Sequence, residues 1–226
     1  MPSAADLGIL LLTLRVAAVS TLAILPLGIW SAWRLARSRS RAKPLIETLL
    51  SLPLVLPPTA VGFLLLELLS RQRAAGRLLS ALGIELMFTW KAVVLASAVM
   101  SFPLLVRSAR TAFESVDPRL LGIARTLGRT PRSVFWSVTL PLAWRGIAAG
   151  TLLAFSRALG EFGATILIAG NIPGRTQTLA LAIFHRVQLG RDADALPLVA
   201  LTVAIAFAAV WATEWLTRRR ARRLAG

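Results

Sequence analysis

Arg157 and Glu161 stand four positions apart inside the apolar run from Gly146 to Ala169. An unpaired charge in such a run is costly in a bilayer and faces protein or water. On a helix the two side chains share a face and can pair, although Arg before Glu is the less favourable order. A pathway or gate role and a purely structural ion pair both fit this spacing. A second group, Pro57, Pro58 and Thr59, lies in the apolar run from Ile46 to Leu69, with Pro53 before it and Gly62 after it. Clustered prolines remove backbone donors and bend or break a helix, and a membrane bundle can re-satisfy the groups they free. Gly62 lets another helix approach closely. Shape-making and gating are equally good readings of the prolines.

Other chemistry is excluded by what the chain lacks. It has no cysteine, so no disulfide framework and no thiolate metal site. His185 is the single histidine and the carboxylates are dispersed, which leaves no metal site of ordinary ligand count. No Gly-x-x-x-x-Gly-Lys-[Ser/Thr] loop is present to hold a nucleotide. No catalytic residue is therefore assigned, and no cofactor is expected in this chain.

The elements that position these residues are membrane spans. Of 226 residues, 56% are hydrophobic and mean hydropathy is +0.70, too apolar for one soluble core. Five stretches approach the ~20 apolar residues a spanning helix needs: Leu7 to Trp33, Ile46 to Leu69, Lys91 to Val106, Gly146 to Ala169 and Leu196 to Thr217. They define a membrane domain over 7–217, a cytoplasmic loop over 107–141 within it, and a basic tail over 218–226. The N-terminus lacks the basic flank and cleavage site of a signal peptide, so the first span is expected to be retained.

A net charge of +16 would suggest nucleic acid in a soluble protein. Here the cations collect between apolar runs, which excludes nucleic acid and leaves the bilayer as the partner. With the N-terminus outside, segments 34–43, 107–132 and 218–223 carry sixteen Lys and Arg, against six in the external segments. The basic excess sets an N-out, C-in topology.

The loop after the third span is long for a connection, and Pro103, Asp117-Pro118 and Thr130-Pro131 are expected to divide it into short helices. Ala124 and Gly128 share a helix face there, and Gly128 can end the helix in a left-handed cap with Pro131 blocking continuation. Outside, Thr178 to Val187 reads as a short interfacial or re-entrant helix between turn signals.

Gly122-Ile123-Ala124-Arg125-Thr126-Leu127-Gly128, followed after nine residues by Val138-Thr139-Leu140-Pro141, resembles the EAA loop of the permease subunits of bacterial ABC importers. The second Ala, the Gly, the spacing and the Leu-Pro match, while Gly122-Ile123 replaces the family's Glu-Ala. Leu52-Pro53-Leu54-Val55-Leu56-Pro57-Pro58-Thr59 and Gly160-Glu161-Phe162-Gly163-Ala164-Thr165 resemble the molybdate importer permeases, smaller relatives of the sulfate and thiosulfate permeases. The resemblance implies an all-α integral membrane protein with about five transmembrane helices and a cytoplasmic coupling helix, the type I ABC importer fold. It also implies a homodimer in the inner membrane. Two ATPase subunits would bind and hydrolyse the ATP, and a periplasmic or lipid-anchored molybdate-binding protein would deliver the anion.

On this reading Gly122, Ala124, Arg125, Leu127, Gly128, Leu140 and Pro141 couple to the ATPase. Pro57, Pro58, Thr59, Arg157 and Glu161 line the pathway or gate it. Thr59 and Thr165 either offer hydroxyls to the oxyanion or back-bond to their own helices. Gly160 and Gly163 are expected to allow close contact across the dimer axis. Two alternatives stand beside this: sulfate, thiosulfate or tungstate as cargo, or a membrane enzyme or assembly factor with no ATPase partner.

Overall fold

The first apolar run grows at both ends into one 34-residue helix, α1 (Ala4–Arg37), in a computed structural model that describes residues 4–224. At ~1.5 Å per residue α1 is about 51 Å long, more than the ~30 Å hydrocarbon layer requires. The guanidinium of Arg15 lies 4.5 Å from the centroid of the Trp90 ring. From Arg15 to the basic turn at Arg34 and Arg37 the helix rises ~30 Å, one hydrocarbon thickness. Arg15, which interrupts the first span in the sequence, is exposed with a tryptophan beside it, the pairing that suits a membrane boundary.

The second apolar run is not one straight helix. It forms α2 (Lys43–Val55) and α3 (Pro58–Leu69), bent by 108° at Leu56 and Pro57. The break follows from the tandem prolines. Each biases the residue before it towards extended backbone, so Leu56 (ψ 144°) and Pro57 (ψ 133°) leave the helical region, and Pro58 begins the next helix at a position that needs no N–H. Pro53 does not break α2. A short α4 (Ala74–Ala81) leads to α5 (Trp90–Glu114), which passes the expected end at Val106 and keeps Pro103 buried inside it. Pro103 therefore does not divide the loop, because the surrounding bundle holds the helix across it.

The connection proper contains α6 (Pro118–Thr126). The fourth span starts earlier than expected, as α7 (Pro131–Val134), a π-helical turn (Phe135–Thr139) and α8 (Leu140–Leu159) in succession. The wide turn, in which Leu140 N–H donates to the Phe135 carbonyl, comes directly before Pro141, whose ring and missing donor disfavour a regular α-turn there. After a break come α9 (Gly163–Ile168), α10 (Leu179–Gln188) and α11 (Asp192–Leu224). Helix α10 matches the short helix expected over Thr178 to Val187. Part of the basic tail 218–226 continues α11 in backbone, and its side chains lie outside the described residues. Among the described residues four helices are long and apolar enough to cross a membrane, and the bent pair α2–α3 brings the number to five if it counts as one span.

Small residues bring the central helices together. Ala112 and Ser108 of α5 occupy the space where Gly146 and Gly150 of α8 would carry a Cβ, and Ser108 Oγ donates to the Gly146 carbonyl at 3.1 Å. Large apolar side chains instead point outward, as at Leu22, Leu27, Phe63, Val203 and Phe207. That inversion of a soluble protein's surface is what a lipid-facing bundle requires.

Candidate functional site

Two helix breaks meet. Helix α8 ends at Leu159, Gly160 and Phe162 take non-helical backbone, and α9 begins at Gly163. A Cβ on Gly163 would lie 2.7 Å from Pro58 Cβ and 3.2 Å from Thr59 N, and one on Gly62 would lie 2.7 Å from Ala164 Cα. The two proline- and glycine-rich motifs are therefore one contact: α3 packs on α9 with no room for side chains at Gly62 and Gly163. Gly62 admits another helix as expected. The close contact at Gly163 is made within the chain, and around Gly160 a Cβ would meet nothing.

Glu161 holds this junction. It is only 2% exposed, its Oε1 accepts from Ala164 N–H at 2.8 Å, and its Oε2 lies 2.9 Å from Arg157 Nη1. The second contact is a close ion pair without an aligned hydrogen bond. The pair exists, but the two residues do not share a helix face. Arg157 occupies the last turn of α8, and Glu161 lies past that helix and caps the first turn of α9. A cation at a C-terminus and an anion at an N-terminus both complement the helix dipoles, so the order that is unfavourable within one helix is favourable across a break.

The other pathway candidates separate by exposure. Pro57, Pro58 and Thr59 are exposed, whereas Thr165 is fully buried and its Oγ1 finds no hydrogen-bond partner among the described residues. Thr165 thus faces the core around Ala164 and Ile168.

The coupling candidates lie at the other end of α8, which spans about 28 Å from Leu140 to Leu159 at ~1.5 Å per residue. Helix α6 is capped at both ends by its own residues. Asp117 Oδ1 accepts from Arg119 N–H at 2.8 Å with Pro118 in the first turn. At the far end Gly128 has φ +76°, its N–H donates to the Arg125 carbonyl at 3.0 Å, and Arg129 N–H donates to the Ala124 carbonyl at 3.2 Å. This is the double bond pattern of a Schellman cap, and the positive φ selects glycine. Leu120, Ile123 and Leu127 are exposed in spite of their apolar character, with Leu127 at 77%. Ala124 is half-buried, and a Cβ at Gly122 would meet open space. Leu140 and Pro141 do not join this face; they start α8 behind the π turn, where Arg37 Nη2 donates to Thr139 Oγ1 at 3.4 Å.

Further ion pairs lie outside the residues that the sequence singles out. Lys43 Nζ lies 3.2 Å from Glu114 Oε1 and 3.8 Å from Glu47 Oε1, Arg110 pairs with Glu47 and, at 3.5 Å, with Glu114, and together they tie α2 to α5. Lys43/Glu47 and Arg110/Glu114 are each spaced by four, which is a usable signal. Arg186 pairs with Asp6 across 180 positions, a contact no local pattern announces.

The family described as "Binding-protein-dependent transport system inner membrane component" matches residues 24–222. The molybdenum transport system permease protein ModB of Escherichia coli strain K12 is 47% identical over 210 residues, 92% of each chain, and ModB of Haemophilus influenzae is 42% identical over 94% of each. More distantly, the sulfate transport system permease protein CysT of Salmonella typhimurium is 34% identical, covering 88% of this chain and 72% of that protein. Among solved structures, a bacterial ABC transporter that imports alginate superposes with TM-score 0.74 at 18% identity, over 96% of this chain and 80% of the other. The fold is that of type I ABC importer transmembrane domains. With two helix breaks packed together in a multi-pass apolar bundle and a self-capped helix at one end, the chain belongs to the family of binding-protein-dependent transport system inner membrane components.

Proposed function

We propose that this chain is the permease subunit of an ATP-driven importer that carries molybdate across the bacterial inner membrane. The observation that carries the cargo is the 47% identity, over 92% of both chains, to a permease of molybdenum transport. The subunit forms a homodimer, two ATPase subunits bind α6 from the cytoplasm and hydrolyse the ATP, and a periplasmic or lipid-anchored binding protein delivers the anion outside. The absence of a phosphate-binding loop in the sequence supports placing nucleotide on the partner, and the basic segments support an N-terminus outside and a C-terminus inside.

Mechanically, closure of the ATPases moves α6, and the bundle exchanges inward- and outward-facing arrangements around the broken spans. The Arg157 guanidinium and the exposed Thr59 hydroxyl are groups suited to a passing dianion. Tight holding is unnecessary where the binding protein selects. In a reconstituted system, labelled molybdate uptake should be blocked by unlabelled molybdate and resist about a tenfold excess of sulfate. Equal competition by sulfate would overturn the cargo assignment in favour of the reading that CysT supports, and leave the importer class in place.

The coupling assignment has its own test in two glycines, Gly122 inside α6 and Gly128 in the cap that follows it. Gly128→Val forces a β-branched residue to positive φ at a cost of about 1–2 kcal/mol to the cap, and should sharply reduce ATPase co-purification while membrane insertion stays normal. Gly122→Ala removes an interior glycine from an exposed helix and should stabilise α6 by up to about 1 kcal/mol, so any loss of coupling in that variant would come from the ATPase contact and not from the helix. Normal ATP-coupled uptake by the valine variant would refute the docking role.

A further inference from the structure

Trp33 stands between two grooves at the basic end of the bundle. One, of about 540 Å³, lies between α1 and α2 and contains Arg34 and Arg37. The other, of about 510 Å³, lies between α1 and the start of the fourth span and contains Arg132 and Trp136. Their walls are otherwise mainly apolar, and Trp30, 57% exposed, and Trp136, 67% exposed, open them towards the lipid-facing surface. Arg34 sits over the Trp30 ring at 5.8 Å and Arg37 over the Trp33 ring at 5.1 Å, which orients both guanidinium groups beside the grooves.

The cations here lack counter-charges. No carboxylate lines either groove. Among the described residues no ion pair involves Arg34, Arg37 or Arg132, in a chain whose 26 Lys and Arg outnumber its 10 Asp and Glu. A cationic rim on an apolar, tryptophan-lined groove at the membrane boundary matches an amphiphile with an anionic head. A soluble anion would gain nothing from the apolar walls. A zwitterionic head would bring a cation for which the grooves offer no carboxylate.

We propose that Arg34, Arg37 and Arg132 bind the headgroup phosphate of an anionic phospholipid, with its acyl chains lying in the grooves on either side of Trp33. The test uses the full-length protein in nanodiscs of equal parts phosphatidylglycerol and phosphatidylcholine, with retained lipid read by native mass spectrometry after detergent extraction. Phosphatidylglycerol should be enriched about fivefold or more among the lipids retained, the factor expected from one arginine near a lipid phosphate. The variant Arg34→Gln/Arg37→Gln/Arg132→Gln should lose that enrichment, and Arg71→Gln/Arg77→Gln/Arg175→Gln, which removes as many charges outside the grooves, should keep it. Glycerol phosphate, which has the charge without the chains, should not displace the lipid.

Equal retention of the two lipids by the wild type overturns the proposal without recourse to any variant. Equal losses in the two triple variants reduce it to bulk charge attraction, and displacement by glycerol phosphate makes the site one for soluble anions. Loss of a co-purifying protein from the first variant with lipid enrichment unchanged assigns the grooves to that protein instead.

Discussion

Replacing Glu161 with alanine is expected to abolish molybdate uptake and to destabilise the protein by about 2–4 kcal/mol. The change removes two contacts at once. Ala164 N–H, at the start of α9, loses the acceptor it reaches at 2.8 Å, and Arg157 loses its counter-ion at 2.9 Å. The cost is held below that of a fully buried pair because the Arg157 side chain is 26% exposed, whereas that of Glu161 is 1% exposed. Glu161→Gln keeps an acceptor for the cap and loses the charge, so it should fall between wild type and alanine. Arg157→Ala should be the milder single change, and the double alanine variant should be no worse than Glu161→Ala. Heating the detergent-solubilised protein and following the monodisperse fraction by size exclusion measures the stability order, and uptake in vesicles measures the transport order. Fully additive defects would show that the two residues do separate jobs and would remove Glu161 from its place as the clamp of the break.

Gly62→Val is expected to be the most damaging substitution on α3. Even a Cβ would stand 2.7 Å from Ala164 Cα and 2.9 Å from its carbonyl oxygen. These are backbone atoms, so no rotamer change relieves the clash; α3 and α9 must separate, at about 1–3 kcal/mol or more for the larger side chain. Uptake should suffer more than stability, because the separation displaces both breaks while leaving the α1–α5–α8 core intact. Gly163→Ala tests the same contact from the other side, against Pro58 Cβ at 2.7 Å, and should give a similar but smaller defect. Wild-type uptake and melting in Gly62→Val would mean that the two helices do not pack this closely in the membrane.

Both sets of residues stand out in the amino-acid sequence, and the reason is chemical. Runs of apolar residues long enough to cross a bilayer have few other uses, so membrane insertion follows from composition and order. The Gly128 cap is equally legible, since a left-handed residue at a helix end, with Pro131 behind it, is a local event decided by local residues. The tandem prolines announce a break for the same reason: each acts on the residue immediately before it.

Contacts between distant segments are not legible in this way. Glu161 reads as one turn along a helix from Arg157, and the chain instead stops the helix at Gly160 and uses the same spacing across a gap. Pro103 reads as punctuation and lies buried within α5, because packing on both sides outweighs the loss of one hydrogen bond. That Gly62 meets Ala164 and Gly163 meets Pro58 depends on how α3 and α9 fold back after their breaks, a geometry that closes about a hundred residues apart. Arg157, Glu161 and the prolines are thus identified by the sequence itself, through the cost of charges and missing donors in lipid. Their assembly into one junction is decided only in three dimensions, by backbone approach at glycines whose pairing no local pattern encodes.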